Sequence, residues 1–463
     1  METMETRAEP DARAARLRAV IFALAIGAGA CGVGTLLAGN PILAAGGVLA
    51  VLLFGVFLKS PPLALLALVA AIPLELEALL PGGGFVAYSG IKILGIMALL
   101  AWLGRWVATG DYALRSDRQL AFYGLFLVCL AVSAYAARNL TDTLDALLRW
   151  LQISLLYVLT QVLMDSRRQV QRLYWVVLLT MGLSALWGIA QGLRGERATG
   201  LALDPNEFCL CLIMDLYIGL GIVFSLDGAK AGRGAAALAW GSIAAIVLAI
   251  ILTRSRSGFL TLVASGMVWV LLQPRKGRGA MVLAAVAAAF VILAPALYWE
   301  RITTLSRPMA DDSLRGRMYE FRAGVLMIER HPILGVGTGN YATNYMRYSQ
   351  DPRRTPRLAH NLYIQIGAEN GLIGLTVFLL LTGYTAARLR RLEAGLRRND
   401  PAGLHALLFG ALLAFVAFLI GSLFLSSQFV KYFYVTLGLL PAWSRLAAEA
   451  LAKGPERPSA PAS

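Results

Sequence analysis

The chain has 463 residues, of which 58% are hydrophobic and only 15% charged; its net charge is +15 and its mean hydropathy is +0.66. A soluble domain could not hide that much apolar surface, so the composition predicts an all-α polytopic membrane protein. The basic residues are divided between two membrane faces, which argues against nucleic acid as a partner.

An N-terminal segment, residues 1–18, carries Arg7, Arg13, Arg16 and Arg18 and is expected to be cytoplasmic. Apolar segments follow at roughly 19–38, 41–58, 62–80, 90–108, 119–136, 144–164, 171–192, 207–225, 234–253, 257–273, 280–299, 363–387, 404–426 and 429–447. Each is near the ~20 residues a helix needs to cross a bilayer, and they predict about 12–14 transmembrane helices. Basic clusters then recur on one side: Arg115 and Arg118; Arg167, Arg168 and Arg172; Arg275, Lys276 and Arg278; Arg388, Arg390, Arg391, Arg397 and Arg398. That side is expected to be cytoplasmic, with both termini on it and residues 448–463 forming a disordered tail. The first apolar run lacks a small-residue cleavage site, so no cleavable signal peptide is expected. Cys31, Cys129, Cys209 and Cys211 all fall in apolar segments and predict neither a disulfide framework nor a zinc site.

Arginines interrupt several apolar segments. Arg149 lies inside 144–164, Arg194 and Arg197 follow the segment ending near Gly192, and Thr253-Arg-Ser-Arg-Ser-Gly258 breaks the run from Ala235 to Leu272. An arginine at bilayer depth costs about 2.5–3.5 kcal/mol on insertion scales and marks a candidate functional site. A polar turn at the outer surface would also explain Arg254 and Arg256. Neighbouring helical positions cannot face one target, which favours Arg256 over Arg254.

The loop between residues 300 and 361 is expected on the outer side. From Glu300 to Ala359 it has ten arginines, no lysine and six acids. Elsewhere on that face the only lysines are Lys92 and Lys431. Arginine presents a planar fork that grips phosphate with two hydrogen bonds, so its preference over lysine suits an anionic phosphorylated substrate; arginine-rich codon usage accounts for part of it. Apolar residues at Met318, Phe321, Val325 and Ile328 have near-helical spacing and predict an amphipathic helix from Asp311 to Arg330, capped by Asp312 or Ser313. His331-Pro332 ends it. The glycine-rich run Pro332-Ile-Leu-Gly335-Val-Gly337-Thr-Gly339 predicts a tight turn. It follows a helix rather than a strand, so a nucleotide-binding reading is rejected. Tyr341–Tyr348 predicts a second short helix, and both helices suit the membrane surface.

Next comes His360-Asn361, then nine residues, then Gly371-Leu-Ile-Gly374, where this loop meets an apolar segment. His360 is one of three histidines. A near-neutral acid/base beside many fixed cations suggests chemistry on a phosphorylated substrate, against the alternative of a helix cap or a packed side chain. The only adjacent acids outside are Asp311-Asp312, better suited to capping, and His331, His360 and His405 lie far apart in the topology. Neither a metal nor a cofactor is expected.

Five elements in order now carry a resemblance: Arg197-Ala-Thr-Gly200 with Pro205-Asn206, Ser255-Arg256-Ser257, Gly316-Arg317-Met-Tyr-Glu-Phe321, Pro332-Ile-Leu-Gly335-Val-Gly337, and His360-Asn361-x9-Gly371-x-x-Gly374. They resemble motifs of the O-antigen ligase and polymerase superfamily of polytopic glycosyltransferases, with Phe321 where the family pattern has Trp. The resemblance implies a GT-C-like membrane enzyme with transmembrane helices over 19–299 and 362–447 and a periplasmic loop at 300–361. It implies transfer of a glycan from undecaprenyl pyrophosphate to an acceptor, which for a ligase is a sugar hydroxyl of the lipid A core, in lipopolysaccharide biosynthesis at the inner membrane. Fixed arginines would stabilise charge on the departing pyrophosphate: Arg256 and Arg317 first, then Arg197, with Arg254 and Arg315 as further candidates. His360 would take the proton of the attacking hydroxyl, or only orient a hydroxyl or phosphate oxygen. Asn361, Gly371, Gly374 and Asn206 would support the site. Direct attack would invert the anomeric centre, without metal. A polymerase of the same superfamily shares these motifs. A transporter would instead show paired broken helices and intramembrane acids; Asp215 is the plain candidate acid within a span, and no inverted repeat is visible.

Overall fold

The computed structural model describes residues 51–74, 90–110, 114, 117–201, 204–227, 232–273, 312–351, 355–397 and 403–452, with isolated positions between 277 and 292. The expected spans at 19–38 and 280–299, most of 41–58, the loop before Asp312, Arg353 and Arg354, and the tail beyond Ala452 lie outside the described residues.

Every regular element among the described residues is helical. Residues 51–59 are helical and lead into α1 (Pro61–Ala71), α2 (Gly90–Thr109), α3 (Arg118–Ser133), α4 (Leu140–Leu163), α5 (Arg167–Leu193), α6 (Pro205–Asp227), α7 (Arg233–Leu252) and α8 (Arg256–Leu272). Beyond the loop come α9 (Asp312–Arg330), α10 (Tyr341–Tyr348), α11 (Leu362–Leu396), α12 (Leu404–Gly421), α13 (Lys431–Gly438) and α14 (Leu440–Ala452). Among the described residues, α3 to α7, α11 and α12 are long and apolar enough to cross a membrane, while α1 and α8 are apolar but shorter. The chain is an all-α polytopic membrane protein.

The helix starts follow local chemistry. Asp117, Asn139, Ser255 and Asn361 each precede a helix, and each side chain accepts hydrogen bonds from first-turn amides. α6 lies at the centre, packed on α5, α7, α8 and α12. Gly221 and Gly410 let α6 and α12 meet backbone to backbone: a Cβ on Gly410 would stand 2.6 Å from the Tyr217 carbonyl oxygen. Close approach of this kind replaces the hydrophobic effect as the source of helix association in lipid.

Three boundaries differ from the sequence pattern. α11 continues through Arg388–Arg391 to Leu396 because Glu393 neutralises the neighbouring cations. The segment 429–447 divides at Leu439 into α13 and α14, and α14 runs on to Ala452. α11 is also broken internally at Gly371 (φ 67°, ψ −176°). The break releases the Ala368 and Glu369 carbonyls, which accept from Val336 N at 2.8 Å and Gly337 N at 3.0 Å, while Leu372 N donates to Pro332 O at 2.7 Å. The Pro332–Gly339 turn therefore splints the broken helix. Its glycines are needed for that fit: Gly335, Gly337 and Gly339 all have positive φ, and a Cβ on any of them would strike α11, Ala137 or α4. The turn's Val336 and Gly337 amides are engaged by α11 carbonyls.

Candidate active site at the loop-bearing end of the bundle

α9 buries Gly316, Glu320, Ala323, Gly324 and Met327, one face at helical spacing, and packs it against α11. At Gly324 the fit is close enough that a Cβ would collide with Ile364. This packing brings Arg317 and Glu320, one turn apart on α9, to the start of α11. The segment before α11 is pinned on both sides of His360. Ala359 N donates to Gln365 Oε1 at 3.1 Å, Asn361 Nδ2 donates to Leu423 O at 2.9 Å, and Leu362 N donates to Ser422 O at 2.8 Å. His360 itself is held at φ 47°, in the left-handed region that a side-chain-bearing residue seldom occupies. Such backbone strain persists only where surrounding structure enforces it.

The ring stands among charges. His360 Nε2 lies 3.9 Å from Glu320 Oε2, and Arg357 Nη1 lies 3.8 Å from Glu320 Oε1. Glu320 is 2% exposed while the His360 side chain is 37% exposed, so a buried carboxylate backs a reachable imidazole. Arg317 Nη1 donates to Phe424 O at 3.4 Å. Burial pushes the His360 pKa down to about 4, reinforced by the Arg317 and Arg357 cations and opposed by Asp204. The free imidazole is thus neutral at physiological pH.

The influence of Asp204 ties the start of α6 to the same ring. Asp204 Oδ1 accepts from Asn206 N at 2.8 Å and Glu207 N at 2.9 Å. Asn206 Oδ1 accepts from Ser255 Oγ at 2.9 Å and from Arg197 Nη2 at 3.3 Å, and Arg197 Nε donates to Thr253 O at 2.9 Å. Arg256 is the first residue of α8, half-buried, directly after Ser255. Arg254 is half-buried at φ 52° in the turn before it.

Of the sequence-derived candidates, the structure gathers Arg317 and Asn361 around His360, and Arg197, Asn206, Arg254 and Arg256 into one patch on the same end of the bundle. Arg315 stands apart: it is exposed and paired with Asp312, away from the buried face of α9. Gly371 and Gly374 act through architecture, the first by breaking α11 and the second because a Cβ there would crowd Asn370. Three residues went unnoticed as site candidates: Glu320, Arg357 and Asp204. Glu320 lies on the face that packs against α11, whereas Met318 and Phe321 of the expected apolar face are exposed, so the spacing did not point to it. Arg357 stands only three residues before His360, while Asp204 carried no local signal and comes near the ring through tertiary packing. The remaining histidines are engaged elsewhere, His331 with the Tyr348 hydroxyl and His405 with Glu393.

Residues 241–379 match the family model described as O-antigen ligase. Over that segment the chain is similar to O-antigen ligases, which supports a place in the O-antigen ligase superfamily. The matched segment runs from within α7 into α11 and includes Arg256, Arg317, Glu320 and His360; Arg197 and Asn206 precede it. No curated protein matches the chain.

Proposed function

We propose that the protein is an O-antigen ligase: an inner-membrane glycosyltransferase that moves a glycan from undecaprenyl pyrophosphate to a sugar hydroxyl of the lipid A core on the periplasmic side. The observation that carries this reading is the convergence, within a segment similar to O-antigen ligases, of a strained, reachable, neutral histidine with fixed arginines and a buried carboxylate. The domain boundaries read from the sequence, with a periplasmic loop at 300–361 between two sets of membrane helices, belong to the same proposal.

The acceptor hydroxyl attacks the anomeric carbon, a new C–O bond forms, and the bond from that carbon to the pyrophosphate oxygen breaks. The hydroxyl proton passes to His360, and the lipid diphosphate leaves with the electron pair. Attack opposite the leaving group inverts the anomeric centre. Arg256 and Arg317, assisted by Arg197 and Arg254, meet the charge that develops on the leaving group. Burial first, then the Arg317 and Arg357 cations, lower the His360 pKa in the free protein; the leaving-group charge answers those cations, so the ring becomes a better base when donor is bound. Glu320 stabilises the imidazolium that forms.

The deciding experiment mixes purified protein with lipid-linked glycan and lipid A core and follows product mass. Mass gained by the core supports a ligase. A longer carrier-linked chain would make the protein a polymerase, and no product of either kind would remove the transferase reading. Transfer is expected to persist in excess chelator; loss that a divalent ion reverses would overturn the metal-independent step.

A further inference from the structure

The end of the bundle remote from His360 holds a cavity of about 470 Å3 between α3, α11 and α14. α3 and α11 run antiparallel. Ser133 Oγ donates to Glu369 O at 2.6 Å near one end of the pair, and Gln119 Nε2 donates to Thr385 Oγ1 at 3.0 Å near the other. Asp117 and Arg388 lie just beyond that second contact and line the cavity. From Leu362 to Arg388 the helix covers about 39 Å at 1.5 Å per residue, close to the ~40–45 Å of a bilayer with its headgroups. The cavity and the His360 site therefore belong to opposite headgroup layers.

The charged lining is Asp117, Arg388, Arg445 and Glu449, two cations and two carboxylates. Asp117, Arg388 and Arg445 are half-buried. Asp117 Oδ1 accepts from Leu120 N at 2.8 Å, and Arg445 Nη2 donates to Met164 O at 3.5 Å. Among the described residues, no ion pair joins either arginine to either acid. Farther along α11 the cations do close on an acid, since Arg390 and Arg397 both pair with Glu393. The four charges of the cavity are thus balanced in number and separate in space. Partly buried charges are costly without partners. Charges of both signs around one space complement a ligand that carries both.

We propose that this cavity binds a zwitterionic phospholipid headgroup that joins a phosphate to a primary ammonium, the phosphate on Arg388 and Arg445 and the ammonium on Asp117 and Glu449. Arginines hold phosphate oxygens through charge-assisted hydrogen bonds. A primary ammonium offers three N–H donors, and ionised carboxylates only accept. A trimethylated ammonium has no N–H and is held by aromatic cages, whereas Tyr384 is the one aromatic residue in this lining. A purely anionic headgroup would set its phosphate against two carboxylates, a like-charge contact that disfavours it. Leu440 and Pro441 add an apolar rim where acyl chains begin. That rim favours a lipid over soluble phosphoethanolamine. The site stands independently of the glycan-transfer reading.

The test uses the full chain in detergent, with short-chain phosphatidylethanolamine, phosphatidylcholine and phosphatidylglycerol as probes. Binding is read by native mass spectrometry and by the rise in unfolding temperature. Wild type should hold phosphatidylethanolamine about tenfold or more tightly than either other lipid, the scale of one charge-assisted hydrogen bond. The combined variant Asp117→Asn, Glu449→Gln keeps the helix cap, because asparagine caps as well as aspartate. It should lose the preference for phosphatidylethanolamine and bind phosphatidylglycerol more tightly than wild type does. A misfolded protein would not gain affinity, so this gain separates loss of the site from loss of the fold. Arg388→Gln with Arg445→Gln should weaken all three lipids by about tenfold or more. Equal binding of the three lipids by wild type, an ethanolamine preference kept by the acid variant, or unchanged binding in the arginine variant would overturn the proposal. Free phosphoethanolamine bound as tightly as the lipid would overturn the lipid assignment.

Discussion

The two ends of α11 carry the same three side-chain types in opposite states. Near the C-terminal end, Glu393 is 1% exposed and saturated: His405 Nε2 lies 2.8 Å from it, Arg397 contacts both its oxygens at 3.0 Å, and Arg390 pairs with it as well. At the N-terminal end, Glu320 is nearly as buried, but His360 and Arg357 stand at 3.9 and 3.8 Å, beyond hydrogen-bond distance. A buried carboxylate whose partners are drawn in tightly is a structural lock between helices. A buried carboxylate that stands 3.9 Å from a strained and reachable histidine leaves room for a substrate at the ring. The difference lies in geometry and not in composition, so mutation should separate the two clusters.

The sharpest contrast is between the two histidines. His360→Ala should reduce glycan transfer by about 10²-fold or more, the scale of a lost general base, with folding and donor binding largely intact. His405→Ala should leave transfer nearly unchanged in protein that remains folded. Turnover assays on both purified variants check this, and wild-type-like turnover in His360→Ala would remove it from the chemistry.

The carboxylates should invert that order for stability. Glu393→Ala strands Arg390, Arg397 and His405, which are partly exposed, so the loss should fall below about 3–5 kcal/mol, the cost of breaking a fully buried pair. Thermal unfolding in detergent should show a clear loss for Glu393→Ala and a smaller one for Glu320→Ala, since His360 and Arg357 lie 3.9 and 3.8 Å from Glu320 while His405 and Arg397 lie within 3.0 Å of Glu393. Equal losses would mean that both clusters are structural.

The arginines test geometry against bulk charge. Arg256→Lys and Arg317→Lys keep their charge but lose the planar fork. Each should lower transfer by about 10- to 100-fold, the equivalent of one charge-assisted hydrogen bond at about 1.5–3 kcal/mol. Arg315→Lys, on an exposed residue paired with Asp312, should be mild. Equal losses at all three positions would favour diffuse attraction of the anionic substrate.

What the sequence revealed and what it hid divide along physical lines. Hydropathy located most described membrane helices within a few residues, because membrane length is a local constraint. α9 was legible as a helix from spacing, and α10 was expected as a second short helix. The break at Gly371 was not, since it depends on carbonyls that only the distant Pro332–Gly339 turn satisfies. His360, Arg317 and Arg256 were visible from residue type and motif order. Glu320 was counted among the loop acids but not placed, because its proximity to His360 comes from α9 packing on α11 through Gly324.

The smallest expected effect concerns the pH dependence of the ring. His360 must be neutral to accept a proton, and its pKa in the free protein is pushed down to about 4, first by burial and then by Arg317 and Arg357. A base of lowered pKa stays active as pH falls and is lost only near that value, so the acid limb of kcat/KM, which reports the free protein, should lie well below the usual histidine range. Bound diphosphate answers the arginine charges, so the acid limb of kcat should lie at higher pH than that of kcat/KM. Glu320→Gln removes the carboxylate that stabilises the imidazolium. It should lower kcat by roughly tenfold, the equivalent of about one pKa unit, and move the kcat limb to lower pH while the donor KM holds. A merely structural Glu320 would reduce the amount of active protein and leave both limbs where they are. That outcome would return the N-terminal cluster to the class of its counterpart around Glu393.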